Sequence, residues 1–423
     1  MSLEDFQLLD NEPIDNSIVK SDYTKVYHQS GANLNDSNQN VEFIFGENNN
    51  YHQIGNSYLE FDITFRKIVT APADPNFVNG DQIRLINNAF AYCFSQATLS
   101  TTGGMDIEDI KYVGQVSTIM RLITSKNADL SSYFDKDGES VIDDNNPLKQ
   151  ILINNHDAED AKGRIKGQLP LEHIFGFCRT FKKITKNLGF HLKFKMNDLQ
   201  EIVFTTLANN ITVTINSLYL FIPKLIPSTS TQLLFNESIM NNYTITFDSW
   251  YTERKISNDG RELQVDIASA QNINSPLYLI TAFQTNARTE HNKNTNPAIF
   301  DINNVTKYFV EIDGVRYPQD GVLTNFPTNS YLDQYRDLKL FYKDYVGEEL
   351  LSPYISYSEM KYRYPIRITD LRHQVDNISP KKIQLFIEMN DDPNMERLFI
   401  ILVRHRQIEM ISDGNKIIEV KVI

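Results

Sequence analysis

One local pattern occurs twice in this chain, half a chain apart, and it narrows the folds open to it. Residues 305–346 read as strand, tight turn, strand, loop and helix. Residues 307–312 are β-branched and aromatic, the composition of a half-buried strand. Asp313-Gly314 follows. A type I′ turn needs φ > 0 at both central positions, so an Asp-Gly pair is a strong short hairpin signal. Val315, Arg316 and Tyr317 open the return strand. Pro318 has no N–H for the ladder and is expected to end it. Tyr331, Tyr335, Leu338, Tyr342 and Tyr345 then fall on one face of a helix over 331–345, with Gly347 where a left-handed C-terminal glycine would stand. The stripe is expected to pack onto the open end of its own sandwich with part of the face exposed to a neighbour; the alternative is an interaction surface, since Tyr is enriched at interfaces.

The earlier copy has residues 90–100 as its strand and Gly103-Gly104 as its turn. Its helix is expected over 109–124, with Ile110, Val113, Ser117, Met120 and Ile123 inward. The turn glycines Gly104 and Gly314 stand 210 residues apart in a chain of 423. That spacing predicts two related halves.

The strands between these landmarks alternate. Leu59, Phe61, Ile63 and Phe65 oppose Glu60, Asp62, Thr64 and Arg66, the pattern of an antiparallel strand with one wet face. Leu188, Phe190, Leu192, Phe194 and Met196 repeat it, as do Ile211, Val213 and Ile215. In the second half the pattern returns at Tyr243, Ile245 and Phe247 and at Ile383, Leu385, Ile387 and Met389. Residues 398–403 form a continuous apolar closing strand. Pro223 and Pro227, with the Ser/Thr run after them, mark the boundary between the halves. Each half then holds about eight strands, the number of a jelly roll. The fold expected is all-β with inserted helices, as two consecutive eight-stranded antiparallel jelly rolls. Residues 41–226 make the first and 227–423 the second. Residues 1–40 are polar and acidic and read as a flexible N-terminal arm that orders only on assembly. Residues 125–167 and 284–304 read as long polar loops, and 417–423 as a tail that could tie to a neighbour.

Composition limits function. The net charge of −13 opposes direct binding to nucleic-acid phosphates, so any enclosed genome would need a basic mediator. No apolar run approaches the roughly 18 residues of a membrane span, and the acidic start lacks the apolar core of a signal peptide, which points to synthesis in the cytoplasm. Cys93 and Cys178 lie in strand-like runs and are expected to be buried free thiols. The eight histidines, His28, His52, His156, His173, His191, His291, His373 and His405, show no i, i+4 pair, and there is no Cys-x-x-Cys. The acidic stretch 135–144 does not fit a calcium loop, because Tyr133 falls where the first acidic ligand belongs when Gly138 takes the sixth position. No phosphate loop or nucleophile elbow is present. No catalytic, cofactor-binding or metal residue is singled out, and no enzyme is expected.

Three stretches carry a resemblance. Asn56-Ser57-Tyr58-Leu59-Glu60-Phe61-Asp62-Ile63 resembles an early strand of the first roll, and the run 86–100, with Asn87-Asn88 and Ser95-Gln96, resembles the segment before the first turn. Residues 309–318 with the tyrosine-rich helix resemble the matching unit of the second roll. Together they resemble the double jelly-roll major capsid proteins of small eukaryotic DNA viruses and integrated elements: Polinton/Maverick elements, adintoviruses and virophages. The resemblance implies a homotrimeric, pseudo-hexagonal capsomer of an icosahedral shell. Its implied partners are neighbouring capsomers, penton proteins and minor capsid proteins, and its implied place is the virion. The chain is short for this group, so its outward loops are expected to be small. The alternative reading is a β-sandwich recognition module whose loops 125–167 and 284–304 bind carbohydrate or a receptor.

Overall fold

A computed structural model describes residues 17–29, 31–46, 50–70, 83–125, 163–205, 208, 210–239, 243–257, 260–267, 275–289, 294–326, 328–347, 353–372, 382–390, 396–412 and 417–422. The first half contributes eight principal strands: β1 (Ile18–Tyr27), β2 (Asn40–Phe45), β3 (Tyr58–Lys67), β4 (Phe94–Thr101), β5 (Asp106–Lys111), β6 (Arg164–Pro170), β7 (Phe190–Met196) and β8 (Ile211–Pro227). They pair in the orders β1-β8-β3-β6 and β2-β7-β4-β5. The second half supplies β9 (Tyr243–Ser257), β10 (Glu262–Ile267), β11 (Pro276–Gln284), β12 (Val305–Ile312), β13 (Val315–Leu323), β14 (Arg367–Asp370), β15 (Ile383–Met389) and β16 (Glu396–Ser412). Their orders are β9-β16-β11-β14 and β10-β15-β12-β13. Numbered within each half, both rolls pair first-eighth-third-sixth and second-seventh-fourth-fifth. The halves are the same antiparallel jelly roll, built twice.

The recurring unit is the fourth and fifth strands of each roll. In the second copy Asp313 and Gly314 have φ of 48° and 86°, the type I′ hairpin. Pro318 does not end the return strand. β13 continues to Leu323, with a register shift that takes the ladder from Val310↔Tyr317 to Tyr308↔Val322. The missing donor is absorbed in that irregularity on an edge strand, where no further neighbour needs it. The helix α5 (Leu332–Phe341) runs into a π turn (Tyr342–Val346), and Gly347 closes it at φ 81°. Tyr331, Leu338 and Tyr342 are buried, and Phe341 meets Tyr278 edge-on at 4.8 Å. The tyrosine face therefore packs inward.

In the first copy the helix starts later than the periodicity suggests. α2 covers Val113–Thr124, while Asp106–Lys111 is strand β5. Against β4, Leu99 pairs with Glu108 and Ser100 with Asp106, so Ile107 is an extra residue. This bulge buries Ile107, Glu108 and Ile110 together and imitates the i, i+3 spacing of a helix. Tyr112, at φ 56°, makes the break between strand and helix.

The largest correction concerns the N-terminal arm. Ile18–Tyr27 is β1, paired along its length with β8 from Ile18↔Pro227 to Tyr27↔Tyr219. The first roll begins there, not at residue 41. Most of β1 is exposed, so its side chains carry no inward alternation; the ladder and the aromatic contacts Tyr27–Tyr219 (5.3 Å) and Tyr23–Tyr58 (5.6 Å) hold it. The C-terminal tail also has a place, as strand Ile417–Val422 on the edge of β16. Both cysteines are buried free thiols, but they lie in helical turns. Cys93 ends α1 (Ala89–Tyr92) and Cys178 is in α3 (Gly176–Thr180). Of the expected loops, Arg164–Pro170 is strand β6 and Asn286–Thr289 a helical turn; residues 126–162 and 290–293 lie outside the described residues.

Burial explains the continuous apolar run at 398–403. Phe399, Ile401 and Val403 face one apolar cluster that extends from the first roll. Leu398, Ile400 and Leu402 face the interior of the second roll. A strand wet on neither side has no reason to alternate.

Candidate functional site

The feature that sets this molecule apart from a single sandwich is the joint between its rolls. β5 of the first roll lies against β9 of the second, and Lys111 N donates to Thr252 Oγ1 at 2.9 Å. The helical turn α3 packs on the same strand, with Asp248 N donating to Thr180 Oγ1 at 3.0 Å. Arg406, on β16, donates to the Ile107 carbonyl. Across the joint, Tyr92 donates to the Pro297 carbonyl at 2.8 Å, Asn87 to Tyr364 Oη at 3.3 Å, and Tyr354 N to the Ser125 carbonyl at 3.0 Å.

Glu108 is the centre of the joint. Its Oε1 accepts from Trp250 N at 2.6 Å and from Gly176 N at 3.2 Å, and its Oε2 from Phe177 N at 3.0 Å. Gly176 N and Phe177 N are donors of the first turn of α3, which has no side-chain cap of its own. The glutamate thus caps one element and holds an edge strand of the other roll. Burial pushes its carboxyl up to about 7; the three N–H donors and nearby Arg406 oppose that rise without overcoming it. Gly176 must be glycine for space. A Cβ there would stand 2.6 Å from the Asp248 carbonyl oxygen and 2.8 Å from Trp250 Nε1. Trp250 itself is 1% exposed, and its Nε1 donates to Tyr345 Oη at 3.4 Å, which links the tyrosine helix to the joint.

The residues weighed for chemistry are spread through the molecule. His191 meets Glu42 at 3.1 Å on the first roll, and His405 meets Asp248 at 3.0 Å across the β9–β16 ladder. His52 is buried beside β8, and burial with the nearby Lys224 keeps its pKa below the usual value. His28 edges Phe43 at 6.3 Å, and His173 lines a polar cleft beside the joint. His156, His291, His373 and the acidic stretch 135–144 lie outside the described residues. Among the described residues no group of three His, Cys, Asp or Glu could hold a metal ion, and no helix is long and apolar enough to cross a membrane. The sequence offered no sign of the joint. Glu108 sits one place from a bulge, and Gly176 has an ordinary backbone, so neither announces a special role.

Two jelly rolls of one strand order, fused through a buried joint, define a double jelly-roll protein. Comparison with family models agrees: the model for the double jelly roll-like domain matches residues 83–408, and the chain belongs to that family. Among solved structures, it resembles the capsid protein VP54 of the virus PBCV-1, fitted into a reconstruction of the virophage Sputnik. The TM-score is 0.59 at 9% identity, over 95% of this chain and 96% of that one. The Faustovirus major capsid protein gives 0.58 at 9% identity, over 96% and 94%. The mavirus major capsid protein gives 0.52 at 10% identity, over 95% and 90%. No curated protein matches the sequence. At these identities the likeness is one of fold.

Proposed function

We propose that this chain is a major capsid protein, three copies of which form a pseudo-hexagonal capsomer of an icosahedral DNA-virus-like shell. The observation that carries the reading is the double roll with its buried joint. One roll of either kind would serve many functions. Two rolls of one topology, locked side by side, give a broad rigid wall in which three chains supply six similar sandwiches. Repeated use of one surface then favours closed symmetric assembly. The family and the capsid proteins of similar fold support the same reading. The work is done by contact area, not by catalysis, and its place is the virion after synthesis in a host cytoplasm. Neighbouring capsomers, penton proteins and minor capsid proteins are the partners, and with a net charge of −13 the genome is left to basic components.

Exposed apolar residues on β1 and on the linking helix α4 (Thr229–Ile239) offer contact surface: Val19 is 71% exposed, Leu233 66% and Leu234 67%. Mass photometry of the full chain tests the reading. A trimer of the 48.9 kDa chain gives a peak at about 147 kDa, and electron microscopy at higher concentration should show hexagonal capsomers or shells. A monomer that persists over a wide concentration range overturns it.

A further inference from the structure

A groove of ≈ 560 Å³ lies beside the linking helix α4, which connects β8 of the first roll to β9 of the second. The first roll gives it Phe181 and Ile184, α4 gives it Phe235, and β9 gives it Ile245. Its size is within the range of pockets that take a ligand or a few side chains. Its rim is basic. Lys183 is exposed and has no ion pair among the described residues. Lys186 bonds to Asn236 Oδ1 at 3.0 Å and stands 5.0 Å from the centre of the Tyr51 ring, and it too has no carboxylate partner among the described residues. Lys182 also borders the groove, but Glu172 holds it at 2.5 Å, so its charge is already neutralised. In a chain of net charge −13, two cations without a counter-ion mark the groove for an acidic partner with apolar side chains.

The chain itself supplies such a partner. Ser228 N donates to the Ser17 carbonyl at 2.8 Å, so the chain enters β1 beside the first turn of α4. Phe235 lies six residues beyond Thr229, about 9 Å along the helix axis. Residues 1–16, which lie outside the described residues, carry Leu3, Phe6, Leu8 and Leu9 among five carboxylates, with no Lys or Arg. The seven residues 10–16 reach up to about 23–25 Å when extended, well over the rise to Phe235. An apolar cluster framed by Glu4, Asp5 and Asp10 thus matches an apolar groove framed by Lys183 and Lys186. Burial of the apolar side chains anchors such a segment, and the exposed ion pairs, each weak, set its direction.

We propose that residues 1–16 of the same chain dock in this groove, with Phe6, Leu8 and Leu9 against Ile184, Phe235 and Ile245, and so clasp the linking helix to both rolls. The proposal is independent of the capsid reading. Photo-crosslinking of the full chain tests it, with a benzophenone-bearing phenylalanine in place of Phe6. Irradiation should give crosslinks to residues 181–185, 235 and 244–246, mapped by mass spectrometry, in a band that runs at the chain's own 48.9 kDa. Lys183→Glu combined with Lys186→Glu should lower their yield by about threefold or more, because two favourable pairs become repulsive. Lys339→Glu, on the exposed side of α5, should leave the yield unchanged. Crosslinks elsewhere, or none, overturn the proposal. So does a crosslink to the groove found only in a band of twice that mass, which assigns the groove to the segment of a second copy. An equal yield in the double lysine variant overturns it as well.

Discussion

The Glu108 carboxylate accepts the backbone N–H of Trp250 at 2.6 Å, and this bond, with that from Lys111 N to Thr252 Oγ1, joins the fifth strand of the first roll to the first strand of the second. Both residues are almost fully buried, at 3% and 1% exposure. Two further N–H groups converge on the same carboxylate. Removing it would leave three donors without an acceptor, and each unsatisfied buried donor costs about 1–3 kcal/mol. Glu108→Ala is expected to destabilise the chain by at least about 3 kcal/mol. Glu108→Gln keeps an acceptor at Oε1 but turns an amide N–H₂ toward Phe177 N, so it should cost less, roughly 1–3 kcal/mol. Urea denaturation of the two variants checks both values, and equal, negligible losses would show that the joint does not depend on this residue.

The same carboxyl makes stability depend on pH. Its folded pKa is raised to about 7 from an ordinary value of 4.5. Below the ordinary value both states are protonated, and the native state carries no ionisation penalty. As pH rises from about 4.5 toward 7, the unfolded chain releases this proton first, so the Glu108 contribution falls; above about 7 it levels off. The full span corresponds to roughly 3 kcal/mol. Melts of wild type and Glu108→Gln between pH 5 and 8 should converge at the alkaline end, because the wild type alone loses this contribution. Parallel curves would refute the assignment.

Gly176 and Gly104 predict different costs for the same substitution. At Gly176 an added methyl meets the Asp248 carbonyl oxygen at 2.6 Å, a backbone atom of the other roll that cannot step aside cheaply. Gly104 has φ +87° and nothing within 4 Å of the added atom. Gly104→Ala should cost about 1 kcal/mol of backbone strain. Gly176→Ala should cost more, about 1–3 kcal/mol or above, by forcing the joint apart. Trp250, the chain's one tryptophan, reports the difference: its emission should shift to the red in native Gly176→Ala and not in Gly104→Ala.

If β1 is the first strand of the roll, truncation should show a threshold. Removing residues 1–16 leaves the β1–β8 ladder whole. Removing residues 1–27 strips one edge of β8, bares a row of backbone groups and uncovers Tyr219 and Tyr58. The longer deletion is expected to lower the melting temperature by several degrees and to aggregate, as followed by light scattering. Identical melting of the two deletions would return residues 18–27 to the status of an arm.

Much of the architecture was legible because the local chemistry was decisive. Asp313-Gly314 could hardly be anything but a hairpin turn, and Phe190, Leu192, Phe194 and Met196 could face only one core. The repeat followed from Gly104 and Gly314. Elsewhere a local signal was absent or misleading. β1 has an exposed pattern, so nothing in its side chains spoke for a strand. The bulge at Ile107 spaced Ile107, Ile110 and Val113 by three and imitated a helix. Pro318 looked like a strand end because the irregularity that accommodates it lies in the pairing with β12.

By itself, then, the sequence determined which segments have one wet face, where the tight turns fall, and that the pattern is used twice. These are properties of neighbours along the chain. The tertiary structure alone decided that β1 belongs to the roll, that the tyrosine helix turns inward, and that Glu108, Gly176 and Trp250 meet. They are 68 residues or more apart in the chain, and their partnership is a matter of desolvation and close contact between two folded bodies. No period or propensity in the sequence records such a contact, because each residue is ordinary until the other roll arrives beside it.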